Sequence, residues 1–220
     1  YGSYDKQSQS IIVNDRFASG FCYRLTGERL LSNNYRDNND RTYTNAFANV
    51  DYQWGRGNAF FEFQRVDEDL ELPGALFIDQ VRTDRKQTRF PNDFNDTETE
   101  IGRIGTLLDV SHEWQVRAEF TNRRENIDGI ITNIRFQQER HTQGFNPRVR
   151  GYLPLFNTSV VFGGDLEETD YSILSLFGIT NSTQETESIY AQAIIPFDEY
   201  ITATVGARKA WMDNDIVDSF

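Results

Sequence analysis

Cysteine, histidine and proline are scarce: one, two and five in 220 residues. Cys22 has no second thiol, so an internal disulfide is excluded, and in a strand it is a small packing residue. His112 and His141 belong to no H-x-x-x-H or Cys/His cluster, so no metal or haem ligand set and no cofactor is expected. Basic residues are outnumbered, 22 Lys and Arg against 34 Asp and Glu, for a net charge of -12. Nucleic-acid binding needs a basic stripe and is excluded. No run approaches the roughly 18 apolar residues of a membrane helix. A membrane β-barrel survives this test and a mean hydropathy of -0.62, because each of its strands shows only half its residues to lipid. No signal peptide opens the chain, whose abrupt ends suggest a mature or excised piece.

What is present is aromatic and alternating. Phe and Tyr number 17 and 10, alongside abundant Asn, Thr, Asp and Gly, the composition of strands joined by polar loops. Residues 40–76 organise the rest. Ala46, Ala48, Val50, Tyr52 and Trp54 take every second position against Asn49, Asp51 and Gln53, a period of two that makes a strand with one apolar face. Gly55-Arg-Gly-Asn58 turns the chain into a second extended run. Ten such stretches are predicted, at about 1–13, 19–31, 42–54, 59–71, 98–110, 113–126, 140–154, 158–171, 186–196 and 200–212. Their connections alternate. Short turns at 14–18, 55–58, 111–112, 155–157 and 197–200 separate long polar loops at 32–41, 72–97, 127–139 and 172–185. An even strand count with loops sorted by length describes an all-β, antiparallel up-and-down transmembrane barrel of the outer-membrane type.

Alternation alone does not distinguish lipid from a protein core. A soluble antiparallel β protein would interlock Val50, Trp54, Val116 and Phe120 in a dry centre. Lipid is favoured by the small residues on the apolar faces, among them Ala118, Gly151, Ala203 and Gly164. Aromatics beside the short turns, at Phe17, Trp54, Trp114, Phe156, Phe197 and Tyr200, fit an interfacial girdle. Several strands also run past the 9–11 residues that cross a bilayer into charged ends such as Arg65-Val-Asp-Glu-Asp69.

Five words then occur in order: Tyr35-Arg-Asp-Asn-Asn-Asp40, Asp67-Glu-Asp-Leu-Glu-Leu-Pro-Gly-Ala-Leu76, Asn146-Pro-Arg-Val-Arg-Gly151, Tyr190-Ala-Gln192 and Val205-Gly-Ala-Arg208. Together they make the chain resemble the barrel portion of the TonB-dependent outer-membrane receptors. The resemblance implies a share of a 22-stranded barrel with a plugged lumen. It further implies location in the bacterial outer membrane and active uptake of a scarce nutrient, most often a ferric siderophore, with cobalamin and other organic cofactors as further cargo. The partners implied are outer-membrane lipid, an iron-siderophore or similar ligand, and the TonB energy-coupling complex reached through a plug segment. The plug is missing from these residues, so 1–220 is expected to be a barrel segment. Residues 211–220 lack the alternating final strand with which the family closes.

Lumen-facing charges are expected at Arg103, Arg117, Glu119, Arg148, Arg150, Asp165 and Arg208, where the family's inner wall meets the plug. Ligand contacts fall to the outer loops. Phe77, Arg82, Arg85 and Phe90 in loop 72–97 mix apolar surface with charges suited to an anionic chelate, and the later loops add Phe136 and Phe177. Packing within the loop is the plainer reading for each. Asp37, Asn38, Asn39 and Asp40 offer oxygens for Ca²⁺ but lack the glycine and distal glutamate of an EF-hand, which favours a solvated cluster. Two alternatives stay open. One is a passive pore or adhesin barrel. The other is a ten-stranded outer-membrane protease, with His141 served by Asp165 or Glu167. No catalytic residue is assigned.

Overall fold

A computed structural model describes residues 3–219; Tyr1, Gly2 and Phe220 lie outside them. One antiparallel sheet runs through the chain. Its strands are β1 (Gln7–Arg16), β2 (Phe21–Ser32), β3 (Arg41–Trp54), β4 (Gly57–Glu71), β5 (Phe94–Asp109), β6 (Trp114–Ile131), β7 (Ile134–Phe145), β8 (Arg148–Leu153), β9 (Thr158–Ser175), β10 (Gly178–Pro196) and β11 (Thr202–Ser219). One short helix, α1 (Ile78–Thr83), sits in the loop after β4.

Each strand pairs with the next except at β7 and β8, which share one place between β6 and β9. They are one strand in register: Phe120 faces Phe145 and Arg117 faces Arg148, with no residue gained or lost. The break falls at Asn146–Pro147, where proline has no N–H for the ladder. Gly164 N–H still donates to Pro147 C=O at 3.0 Å. The ten expected passes are therefore the eleven strands, one of them interrupted.

Three expectations about length are corrected. Residues 127–139 are not a loop: β6 and β7 continue to a two-residue turn at Thr132 and Asn133, both at positive φ (53° and 63°). That is the backbone a tight hairpin requires to match strand twist. Residues 172–185 likewise form ladder, closing at Leu176–Phe177. Polar side chains on both faces hid these runs, because a strand in water on both sides carries no alternation to read. Residues 211–219 are the outer half of β11, paired residue for residue with β10 from Ile179–Ser219 to Pro196–Thr202.

Residues opposite one another in the ladder share a face. On one face Val50 meets Phe61, Phe61 meets Ile104, Ile104 meets Phe120, Phe120 meets Phe145 and Phe145 meets Leu166. Farther round, Phe162 meets Ala191 and Ala191 meets Ala207. These apolar residues form a continuous band beside the short turns. At about 3.3 Å per residue and a tilt of roughly 40°, it is on the order of 20 Å tall. Tyr52 stacks on Trp54 at 6.0 Å and Trp114 leans on Phe162 at 6.1 Å at the turn end of the band. Above it the same face turns polar, through Arg65, Glu100, Arg124, His141 and Asp170.

No hydrophobic residue among those described is buried. Ile104 is 56% exposed and Val205 63%. The sheet is a single layer, and the dry centre of a soluble sandwich is absent among the described residues. Trp54 and Phe120, which would anchor such a centre, stand about two-fifths exposed.

Candidate functional site

The other face is mostly polar, with scattered apolar side chains such as Phe60 and Val161, and its lower part is a network of charges. Arg103 pairs with Glu62 on β4, which also accepts from Asn49 at 3.2 Å. Arg103 reaches Glu119 at 3.6 Å, and Arg117 reaches the same carboxylate at 2.8 Å. Asp165 accepts from Asn146 and Ser188, both at 2.9 Å, and pairs with Arg208 at 3.0 Å. The network spans β3 to β11 because strand period two puts every second residue of each strand on this side. Arg148 and Arg150 differ from the rest. Both are exposed, Arg148 lies opposite Arg117, and neither forms an ion pair among the described residues. With Ser159, Val161 and Ile194 they line a groove of about 280 Å³.

At the other end of the strands, segments 33–40 and 72–93 are stitched together. Arg36 donates to the carbonyls of Gly74 (2.6 Å), Pro73 (3.3 Å) and Gln87 (2.9 Å). Asn38 Nδ2 donates to the carbonyls of Phe90, Asp93 and Leu72. Asp37 N–H donates to Lys86 C=O at 2.7 Å, and Asp40 N–H to Glu71 Oε2 at 3.0 Å. Burial, reinforced by the Glu71 charge, pushes the Asp40 carboxyl above its ordinary range. The cluster expected to be solvated is therefore the seam between two loops. No group of three or more metal-ligating side chains occurs among the described residues.

No family model matches the sequence, and comparison with curated proteins found no match. Solved structures do match. The unliganded ferric citrate transporter FecA superposes at a TM-score of 0.85 and 14% identity, over 99% of this chain and 37% of that one. The ferric preacinetobactin receptor BauA of Acinetobacter baumannii gives 0.81 and 11%, over 97% and 40%. The alcaligin outer-membrane receptor FauA of Bordetella pertussis gives 0.83 and 10%, over 99% and 36%. The chain has the barrel fold of the TonB-dependent receptors. It spans about two-fifths of the length of the structures it matches.

Placed on this receptor-barrel fold, the expected ligand residues separate into three groups. Phe77, Arg82, Arg85 and Phe90 lie together in segment 72–93. Phe77, 61% exposed, precedes α1 and carries the Arg89 guanidinium 4.2 Å from its ring centre. Arg82 closes α1, where a cation suits the helix C-terminus, and Arg85 is exposed just beyond. Phe90 packs against Gly74, where a Cβ would sit 2.4 Å from the ring; the positive φ of 68° there also favours glycine. Phe136 lies in β7, not in a loop, its ring filling the space above Gly129. Phe177 caps the β9–β10 turn and is 72% exposed.

Arg117, Glu119, Arg148, Arg150 and Arg208 occupy the polar face together. His141 is on the other face from Asp165 and Glu167, so the arrangement needed by a rim protease does not form. Asn122 Nδ2 lies 3.0 Å from His141 Nε2 instead. Sequence reasoning missed Asp93, 2% exposed, which ties segment 72–93 to the β6–β7 turn. Its position directly before a strand was its only signal.

Proposed function

We propose that the chain is a barrel segment of an outer-membrane TonB-dependent receptor that takes up a scarce nutrient, most simply a ferric siderophore. The single observation that carries the reading is the apolar band on a one-layer sheet without a buried hydrophobic core, backed by a charged opposite face. In water such a band would be an aggregation surface far larger than a soluble monomer tolerates. Against acyl chains it is the stable arrangement. The unpaired outer edges of β1 and β11 support a segment of a larger barrel, because open edges in lipid leave backbone groups unsatisfied.

On this reading the apolar face meets outer-membrane lipid and the polar face lines the lumen. Arg117, Glu119 and Arg208 are then partly matched within the wall, while Arg148 and Arg150 stay free for a plug segment lying outside residues 1–220. Coupling to TonB runs through that plug. Phe77, Arg82, Arg85 and Phe90, with Phe177 at the tip of the β9–β10 hairpin, meet the ligand from outside, and Phe136 supports the rim from within. The neighbours' cargoes, ferric citrate and ferric preacinetobactin, support iron chelates as the ligand class. The reading is non-enzymatic, with no catalytic residue and no resident cofactor.

Deleting the full-length gene and supplying iron as single ferric chelates tests it. Loss of growth on one chelate, restored by the intact gene, is expected. Undiminished growth on every chelate, together with steady conductance in liposomes, would replace the receptor by a passive pore. Trypsin added to intact cells should cut at Arg82 and Arg85 if segment 72–93 faces outward.

A further inference from the structure

Asp93 is one of the few nearly inaccessible side chains in a chain that otherwise buries little, and the charge network of the polar face does not involve it. Its carboxylate accepts two backbone N–H groups from the β6–β7 turn, Thr132 at Oδ2 and Asn133 at 3.0 Å on Oδ1. Its backbone carbonyl accepts from Leu72 N–H and from Asn38 Nδ2, each at 2.9 Å. One residue thus joins three places: segment 33–40, the two ends of segment 72–93 and the tip of the β6–β7 hairpin. The remaining stitches, from Arg36 and Asp37, link the first two again. The hairpin tip is tied in by the carboxylate.

We infer that Asp93 is the positioning residue of the outer rim, a carboxylate tie that makes segments 33–40, 72–93 and the β6–β7 turn one preorganised platform. The inference rests on the reading of segment 72–93 as the element that meets ligand, and adds how that element is held. Two charge-assisted bonds in a water-poor site are worth more than their exposed equivalents. A loop so held offers Phe77 and Arg82 in one arrangement before ligand arrives, which lowers the ordering cost of binding. Segment 72–93 is then a fixed surface, not a lid.

Hydrogen exchange of the full-length protein, folded in detergent, tests the tie without depending on membrane orientation or on the ligand. Asp93→Ala should speed exchange at Thr132 and Asn133 by roughly tenfold to a hundredfold and, in the same variant, loosen 33–40 and 72–93, leaving the β1–β2 turn unchanged. Asp93→Asn keeps the volume but turns an NH₂ toward one of the two donors, so exchange should quicken there as well. Asp93→Asn exchanging like wild type would overturn the inference, since the residue would then be filling space. Acceleration confined to 132–133 in both variants would overturn it too, since the segments would then be uncoupled. Failure of trypsin to cut the segment in intact cells carrying Asp93→Ala, where exchange shows it loosened, would instead sink the outward placement and leave the tie standing.

Discussion

The imidazole of His141 and the carboxylate of Asp165 project from opposite faces of the sheet. His141 aligns with Asp170 on β9, five residues along, and in a ladder only residues an even number apart share a side. Asp165 faces Asn146, Ser188 and Arg208 across the strand. A general base and its orienting acid must be within hydrogen-bond reach. His141→Ala is accordingly expected to leave any peptide-cleaving background of the purified protein unchanged; a loss of His141-dependent cleavage would revive the protease.

Ile104 and its neighbours Phe61 and Phe120 are solvent-accessible yet apolar, and lipid and water make opposite demands on them. Ile104→Arg should cost about 2–4 kcal/mol of folding free energy in lipid vesicles. Thr44→Arg, on the same face but above the band, should stay within about 0.5 kcal/mol. Urea unfolding in vesicles reads both. Equal, small effects would mean that the band does not sit in hydrocarbon.

Glu119 serves two guanidinium groups at once, Arg103 and Arg117, with little exposure of its own. Glu119→Gln should destabilise by about 1 kcal/mol, having left two cations without their shared partner. Arg148→Ala should change stability by less than about 0.5 kcal/mol, because no carboxylate in the wall depends on it. If Arg148 instead matches a segment filling the lumen, that same variant lowers uptake by the full-length receptor while its unfolding midpoint holds.

Asp69, Asp96 and Asp128 lie in one row across β4, β5 and β6, above the apolar band. Burial first, then the charges of Asp69 and Asp128, push the Asp96 carboxyl above its ordinary value of 3.8. A carboxyl whose folded pKa is raised binds protons more readily in the native state than in the unfolded chain. Stability therefore falls as pH rises from the unfolded value through the folded one, and the penalty is complete above it. Asp96→Asn should raise the unfolding midpoint at pH 7 and lose that advantage below the unfolded pKa of Asp96. Thermal unfolding at the two pH values decides; a variant less stable than wild type at pH 7 would contradict the row of repelling charges.

The lower half of the sheet was readable because lipid and lumen impose opposite tastes on alternate residues. Val116 against Arg117, or Phe162 against Gly163, reports its side directly. Once a strand rises into water that contrast disappears. Gln137, Gln138 and Glu139 carry no parity signal, and neither do Thr183 and Gln184, so paired ribbon there reads as loop. The sharing of one face by Arg117, Arg148 and Arg208 could be counted from parity. Their separate circumstances could not, since only the register reveals that Arg148 faces Arg117 and that Arg208 reaches Asp165. The cluster of 37–40 looked solvated because Asn38 satisfies carbonyls more than 30 positions distant, beyond any local pattern.

The β9–β10 hairpin carries one further consequence. At 18 and 19 residues its two strands are about 60 Å long, and the ladder between them runs unbroken from Ser159 and Ile194 up to Ser175 and Gly178. A nick at Leu176–Phe177 would sever the covalent link at the tip yet leave two chains zipped together from foot to crest. Damage at this exposed tip is thereby uncoupled from collapse of what stands beneath it.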